Sequence, residues 1–418
     1  MTWGCDDPAK RRRPAQGTGR MLQLDAVQTV ALAGVALFAG YGLCRAIPPL
    51  ARYNMPPPVI GGLVFALAAW VAHARGAAWL QLDTSLQSPL MVAFFTAIGF
   101  NASMRLLRAS GRQVVGLLVL ASVLALLQGL LGAAVAVGFG LHPLFGVLAG
   151  PTTLAGGPAT GLAFAPLFEQ AGLAGAPSIA LAAAMAGILI GGLLGGPLAT
   201  LLMRRGLAPS ITPPADGSPG ATAAGEAVPS PLQREHAALK SIVAILLAMW
   251  IGGGVSGLLA STGLTLPAYV GAMLVGAALR NLHDRFGWFG MSQASTDVIG
   301  NICLALFLSV ALMNLRLWEL SGLALPLVAN LALQALLAAA FCLWVLRAMG
   351  CDHDAAVTAG GFYGFMMGTT ANAMAVMRTL VERHGPAPRA FLVAPIVGAF
   401  FIDFSNALII TGFLNLWG

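Results

Sequence analysis

Charge is scarce in this chain. Asp, Glu, Lys and Arg make up 9% of its 418 residues, 58% are hydrophobic, and the mean hydropathy is +0.83. A water-soluble domain carries about a quarter charged residues, so this composition excludes one and points to a membrane. Cysteine is sparse as well. Cys5, Cys44, Cys303, Cys342 and Cys351 show no CxxC spacing, and most of them lie in or at the ends of apolar runs, where the thiol packs as a small hydrophobe. Neither a disulfide framework nor a metal cluster is implied. All six histidines (His73, His142, His236, His283, His353, His384) fall between apolar segments, which leaves the membrane interior without a histidine proton relay. Without a nucleophile and base, or a metal cluster, inside the membrane, an enzyme is disfavoured. The net charge of +7 comes from Lys and Arg scattered singly or in pairs between apolar runs, a topology signal rather than a nucleic-acid face.

Apolar windows long enough to span a bilayer, allowing for tilt, run over 26–44, 57–73, 88–104, 113–138, 178–203, 240–260, 266–280, 295–314, 320–346 and 390–415. Two shorter broken regions, 144–168 and 354–380, are expected to be re-entrant hairpins. With the amino terminus outside, the first hairpin enters from outside and the second from the cytoplasm. Arg45, Arg52, Arg105, Arg108, Arg112, Arg204, Arg205, Arg234, Lys240, Arg280, Arg285, Arg347, Arg378, Arg383 and Arg389 then fall inside, and only Arg75 and Arg316 outside. The positive-inside rule selects this orientation. Both termini are expected in the periplasm.

Five spans and one hairpin make up each half, 21–206 and 239–418. An odd number of crossings turns the second half upside down, so the expected fold class is an all-α integral membrane protein of two inverted five-span repeats. Sequence echoes agree: Pro58-Val-Ile-Gly-Gly-Leu-Val resembles Pro267-Ala-Tyr-Val-Gly-Ala-Met, and Asn101 echoes Asn314 near the ends of spans three and eight. Between the halves, a linker over 207–238 is rich in Pro, Ala, Gly and Ser and has too little apolar surface to fold by itself.

Two glycine-dense stretches occupy corresponding places in the halves, Ala149 to Gly161 (AGPTTLAGGPATG) and Ala359 to Asn372 (AGGFYGFMMGTTAN). Non-helical backbone at membrane depth survives only where protein buries it or a watery cavity receives it. A matched pair of such breaks marks the binding region of a transport pathway. The candidate site residues are Thr152, Thr153, Gly156, Gly157, Thr160 and Gly161 in the first break, and Tyr363, Gly364, Gly368, Thr369, Thr370 and Asn372 in the second. Asn101, Asn301 and Asn314 add polar side chains within the spans. Asp403 sits midway along the last span with Asn406 one turn on, facing the same side. A buried carboxylate in a span is costly and usually has a task. Asp297, near a span start, could reach water. No Lys or Arg is expected near the midplane, so backbone N–H groups where the hairpin arms restart as helices are the available anion ligands. Carbonyls freed at the breaks, with Asp403 and Asn406, would suit a hard cation such as sodium.

Long strings carry a resemblance to a known family. Leu86-Gln-Ser-Pro-Leu-Met-Val-Ala-Phe-Phe-Thr-Ala-Ile-Gly-Phe-Asn101, Gly300-Asn-Ile-Cys-Leu-Ala-Leu-Phe-Leu-Ser-Val-Ala-Leu-Met313 and Ala394-Pro-Ile-Val-Gly-Ala-Phe-Phe-Ile-Asp403 are similar to the bacterial sodium/glutamate symporters. The likeness runs from Met21 to the end. It implies an inner-membrane carrier with glutamate as substrate, Na+ as coupling ion, no cofactor and a homodimeric assembly. The family pattern is close to SGGHGTG in the first loop and GHCGFGLGATP in the second. This chain reads Ala155-Gly-Gly-Pro-Ala-Thr-Gly161 and Gly361-Phe-Tyr-Gly-Phe-Met-Met-Gly-Thr-Thr-Ala371. Bulkier Tyr363, Met366 and Met367 are expected to reshape the pocket, so another small carboxylate, or proton coupling, stays open beside glutamate and sodium.

Lys10, Arg11, Arg12, Arg13 and Arg20 would have to lie outside, and such basic stretches resist translocation. The expectation is that Met21 is the translational start and that 1–20 is a mis-assigned extension. Mass spectrometry of the native amino terminus is then expected to yield no peptide upstream of Met21.

Overall fold

The computed structural model describes residues 22–52, 55–75, 80–105, 111–204, 231–261, 267–287, 292–320 and 322–418. The basic extension and most of the linker lie outside them. Each expected span is helical: α1 (Ala26–Ala46), α2 (Pro57–Ala74), α3 (Gln87–Gly99), α4 (Gly111–Gly138), α7 (Ala176–Arg204), α8 (Pro231–Ser261), α9 (Ala268–Phe286), α10 (Gln293–Met313) and α11 (Ala324–Ala348). The last span is split into α14 (Pro388–Ile396) and α15 (Ile402–Trp417) by a π-turn over Val397–Phe401. The first hairpin region folds as α5 (Pro143–Val147), a π-turn over Leu148–Thr152, and α6 (Gly157–Gln170). The second folds as α12 (His353–Met366) and α13 (Thr370–His384).

Seven of these helices are long and apolar enough to cross a bilayer unaided. Three windows read as spans do not reach that measure alone. α3 has 13 residues, α9 carries Arg280, Asp284 and Arg285 in its last turns, and the C-terminal span is interrupted. Three further details differ from expectation. Residues 231–238, read as linker, are the first turns of α8. Leu22–Leu24 and Leu80–Leu82 form a small parallel β-pair, so the chain is not wholly α; it lies ahead of α1 and α3. Five of the six histidines sit in helices rather than loops, His236 in an early turn of α8 and the others at helix ends, as where His73 stacks on Trp318.

The helices assort into two bundles. α1, α2 and α3 pack with α8, α9 and α10, while α4 to α7 pack with α11 to α15. Each bundle therefore takes elements from both sequence halves. The packing also repeats when the halves are exchanged. α1 packs on α2 as α8 packs on α9, and α3 packs on α9 as α10 packs on α2. Reciprocal glycine contacts carry the first of these pairings. A Cβ on Gly61 would strike the Ala36 carbonyl and one on Gly40 the Pro57 carbonyl, and Gly271 and Gly252 press on each other's helices in the same manner. Gly61 thus corresponds to Gly271, one residue out of the register suggested by the string beginning at Pro58.

Burial differs from that of a soluble protein. Many large apolar side chains face outward, as at Trp250 (78% exposed) and Leu325 (70%), while small residues such as Ala33, Gly40, Ala121, Gly132 and Gly146 lie inside beside buried aromatics such as Phe95 and Tyr269. Lipid is as apolar as leucine, so helices associate through close backbone approach at small residues rather than through water exclusion. Gly61→Val is expected to lower the thermal midpoint of the detergent-purified protein, because overpacking costs about 1–3 kcal/mol. Gly34→Ala, with open space where its Cβ would go, is expected to leave the midpoint in place.

Candidate functional site

Between the bundles lies a cavity of about 670 Å³. It is lined by Gly156, Gly157, Pro158 and Ala159 at the start of α6, by Gly368, Thr369, Thr370 and Ala371 at the start of α13, and by Gly398 and Asp403 of the last span. Phe94, Ile98, Asn301, Leu304, Ala305 and Leu308 of α3 and α10 face them from the other bundle. Both breaks therefore open onto one space. They also nearly touch: a Cβ on Gly157 would stand 3.3 Å from Thr369 Cγ2. Gly157 has φ of +69°, a left-handed conformation that glycine adopts without penalty.

Local rules place the two helix starts. Pro158 occupies the first turn of α6, where its missing N–H and fixed φ do no harm, and Gly156 provides no side-chain cap. Gly156 thus has no side chain to cap the first-turn N–H of Ala159, and both residues line the cavity. At α13, Thr369 is the N-cap and its hydroxyl accepts from Asn372 N at 3.4 Å, which leaves the N–H groups of Thr370 and Ala371 uncapped by it. Thr370 Oγ1 donates to the Gly398 carbonyl at 3.2 Å, so the second break is seated on the π-turn of the last span. That turn precedes Asp403 and sets the face from which its carboxylate meets the cavity. Among the described residues, no Lys or Arg lines the cavity, and Asp403 is its one carboxylate. Two helix starts and one carboxyl group thus share the lining of one cavity.

Behind the cavity, buried amides satisfy the backbone freed by the first break. Gly150 has non-helical φ and ψ of −114° and −119°. Asn330 Nδ2 donates to the Ala149 carbonyl at 2.9 Å, and Asn406 Nδ2 to the Pro151 carbonyl at 3.0 Å. Gln334 Nε2 donates to the Gln128 carbonyl at 2.8 Å, and Gln128 Nε2 to the Met366 carbonyl at 3.3 Å. In the same bundle, Asn372 Nδ2 donates to the Ile188 carbonyl on α7 at 2.7 Å. At the outer end of the second helix pair, Asp352 caps α12 and pairs with Arg389, while Asp354 Oδ1 accepts from Arg389 N at 3.0 Å. His353 Nε2 lies 3.2 Å from the Gly385 carbonyl, so the start of α12 and the exit of α13 meet at one end.

The candidate residues therefore separate into three places. Gly156, Gly157, Asn301, Gly368, Thr369, Thr370 and Asp403 line the cavity. Thr152, Thr153, Thr160, Gly161, Tyr363, Gly364, Asn372 and Asn406 pack behind it in the hairpin-bearing bundle, with Thr153 Oγ1 donating to the Leu148 carbonyl at 2.9 Å. Asn101 and Asn314 stand apart at helix ends: Asn101 Nδ2 donates to Asp297 Oδ1 at 3.1 Å, and Asn314 is the exposed C-cap of α10. Tyr363, Met366 and Met367 turn into the buried core rather than into the cavity, so these departures from the family pattern do not narrow it. Pro158 does line it. Sequence reading passed over Gln128, Asn330 and Gln334. The signal was present, since lone amides inside long apolar runs, two of them four residues apart, need a buried partner.

Interrupted helix pairs converging on a cavity between two helical bundles define a polytopic membrane protein of the carrier kind. The chain belongs to the sodium/glutamate symporter family. The family model described as "Sodium/glutamate symporter" matches residues 22–386. The sodium/glutamate symporter of Escherichia coli strain K12 is 40% identical over 398 residues, covering 95% of this chain and 99% of that protein. The sodium/glutamate symporter of Haemophilus influenzae is 37% identical over 392 residues, covering 92% and 95%.

Asn330→Leu strands the Ala149 carbonyl in an apolar interior. A loss on the order of 1–3 kcal/mol is expected, read as a lower thermal midpoint in detergent.

Proposed function

We propose that this chain is a secondary carrier that couples sodium entry to uptake of L-glutamate across the bacterial inner membrane. The observation that carries the reading is the cavity lined by two helix starts, at Gly157 and Thr370, together with Asp403. Each helix start offers up to about half a positive charge, which suits the carboxylates of the substrate. Asp403 is the group that draws a cation. Anionic substrate and sodium then neutralise each other in one low-dielectric space, and this is why each raises the other's occupancy. Family membership and the 37–40% identity to named sodium/glutamate symporters support the choice of substrate and ion.

The reading includes ten spans in two inverted five-span halves, each with a re-entrant hairpin, a cytoplasmic linker and both termini in the periplasm. Support comes from the exchange-symmetric packing of α1–α3 with α8–α10, from the charge asymmetry of the loops, and from the meeting of His353 with Gly385. In this orientation the cavity reaches the cytoplasmic ends of α1 to α3 at Tyr41, Pro56 and Ile98, so the conformation is inward-facing. Alternating access moves the hairpin-bearing bundle against the other one, and the family resemblance favours a homodimer. Glutamate is a monoanion at neutral pH, so two or more sodium ions are needed for the potential, about 2.3 kcal/mol per charge per 100 mV, to drive uptake.

A second reading keeps the fold and changes the solute to another small carboxylate, or the ion to a proton at Asp403. Pro158, a departure on the cavity wall itself, is the observation in its favour.

Proteoliposomes under an inward sodium gradient are expected to accumulate labelled L-glutamate, with none in potassium alone. Asp403→Asn is expected to cut that uptake or shift its sodium dependence. Uptake driven equally by a pH gradient without sodium would select the second reading, and an Asp403→Asn protein with wild-type sodium dependence would remove Asp403 from the ion path.

A further inference from the structure

The amide array behind the first break holds a set of buried oxygens with nothing to bind. Asn406 Oδ1, Gln334 Oε1, Gln128 Oε1 and Thr152 Oγ1 are each shielded from solvent and lack a hydrogen-bond partner. The amide oxygens cannot be satisfied by flipping, because each amide nitrogen is already committed to a backbone carbonyl, those of Pro151, Gln128 and Met366. All four residues belong to the surroundings of the Gly150–Thr152 break. Asn406 bonds the carbonyl just before Thr152, and a Cβ on Gly150 would lie 3.1 Å from Gln334 Nε2 and 3.2 Å from the Gln128 carbonyl.

Leaving one buried polar atom unpaired costs about 1–3 kcal/mol, and four around one turn would be a heavy penalty. The unpartnered atoms here are all oxygens. One buried water could accept from the Thr152 hydroxyl and donate to two of the amide oxygens, which still leaves the third unpaired. For a hard cation, neutral oxygens from hydroxyl, amide and interrupted backbone are usual ligands.

We propose that a sodium ion binds beside the Gly150–Thr152 break, behind the cavity rather than within it, with Thr152 Oγ1 and Asn406 Oδ1 as side-chain ligands. Gln128 and Gln334 complete its polar surroundings. The inference rests on the sodium-coupled reading above and adds a second ion position to the one at Asp403. The placement links ion to substrate mechanically. A cation shared by Thr152 and Asn406 draws the first break onto the last span, one turn from the Asp403 carboxylate that faces the cavity.

Thr152→Val tests this, because valine keeps the shape and removes the hydroxyl. In a purely structural role, deleting an unpartnered hydroxyl leaves stability unchanged or improved and sodium irrelevant. As a ligand, its loss weakens sodium specifically. The thermal midpoint of purified protein is measured in NaCl and in KCl of equal concentration, with Thr152→Ser as the variant that retains the oxygen. Wild type and Thr152→Ser are expected to be stabilised by sodium over potassium, and Thr152→Val to keep only the part of that difference that the Asp403 position supplies. In proteoliposomes, half-saturating sodium for Thr152→Val is expected to rise about tenfold or more. An unchanged sodium-dependent shift in Thr152→Val overturns the site, as does a wild type that sodium does not stabilise. If the shift shrinks in Thr152→Val while wild-type uptake ignores the sodium gradient, the site stands and the coupled reading above falls.

Discussion

An interrupted helix inside an apolar interior leaves carbonyl and N–H groups that neither lipid nor leucine can satisfy, and the rest of this structure is arranged around that constraint. At the first break the freed carbonyls of Ala149 and Pro151 are taken by Asn330 and Asn406, from α11 and the last span. At the second, Thr369 caps α13 and Thr370 bonds the π-turn at Gly398. The last span is the common partner. It meets the second break at Gly398 and the first at Asn406, and Asp403 lies between these two points. A shift of either hairpin therefore moves the backbone that carries the cavity's carboxylate.

The same constraint explains an economy of charge. In the proposed carrier, N–H groups at two helix starts take the place of arginine or lysine, without the cost of placing a full cation at mid-membrane. One carboxylate shares the cavity with them. Side-chain oxygens of Thr152, Gln128, Gln334 and Asn406 without a partner give the hairpin-bearing bundle a second, uncharged polar centre behind the first break. Small residues complete the arrangement, because only glycine and alanine let α1 meet α2, and α8 meet α9, at backbone distance.

Much of this was legible in the residues themselves. Hydropathy located the seven helices that are long and apolar enough to span among the described residues, since an unbroken apolar run in lipid has no alternative to the helix. Glycine and proline located both breaks to within a few residues, for steric reasons local to those residues. Gln128, Asn330 and Gln334 were not picked out, because a lone amide declares that it needs a partner without declaring which one. Tyr363, Met366 and Met367 looked like pocket residues by position in the motif. They lie on the face of α12 and its exit that packs into the core, a matter of helix rotation that the residue names do not encode. The π-turn at Val397–Phe401 was likewise hidden, for an extra residue per turn leaves no signature in an apolar run.

By itself, the sequence determined that the chain is a helical membrane protein with two broken helix pairs, and to which family it is similar. These follow from composition, from hydropathy over some twenty residues, and from backbone chemistry of single residues. Tertiary structure alone decided that the bundles mix the two halves, that both breaks and Asp403 line one cavity, and that Asn101 and Asn314 stand away from it. Those outcomes depend on contacts between residues far apart in the chain, Gly157 with Thr369 or Asn406 with Pro151, and no local pattern carries such pairings.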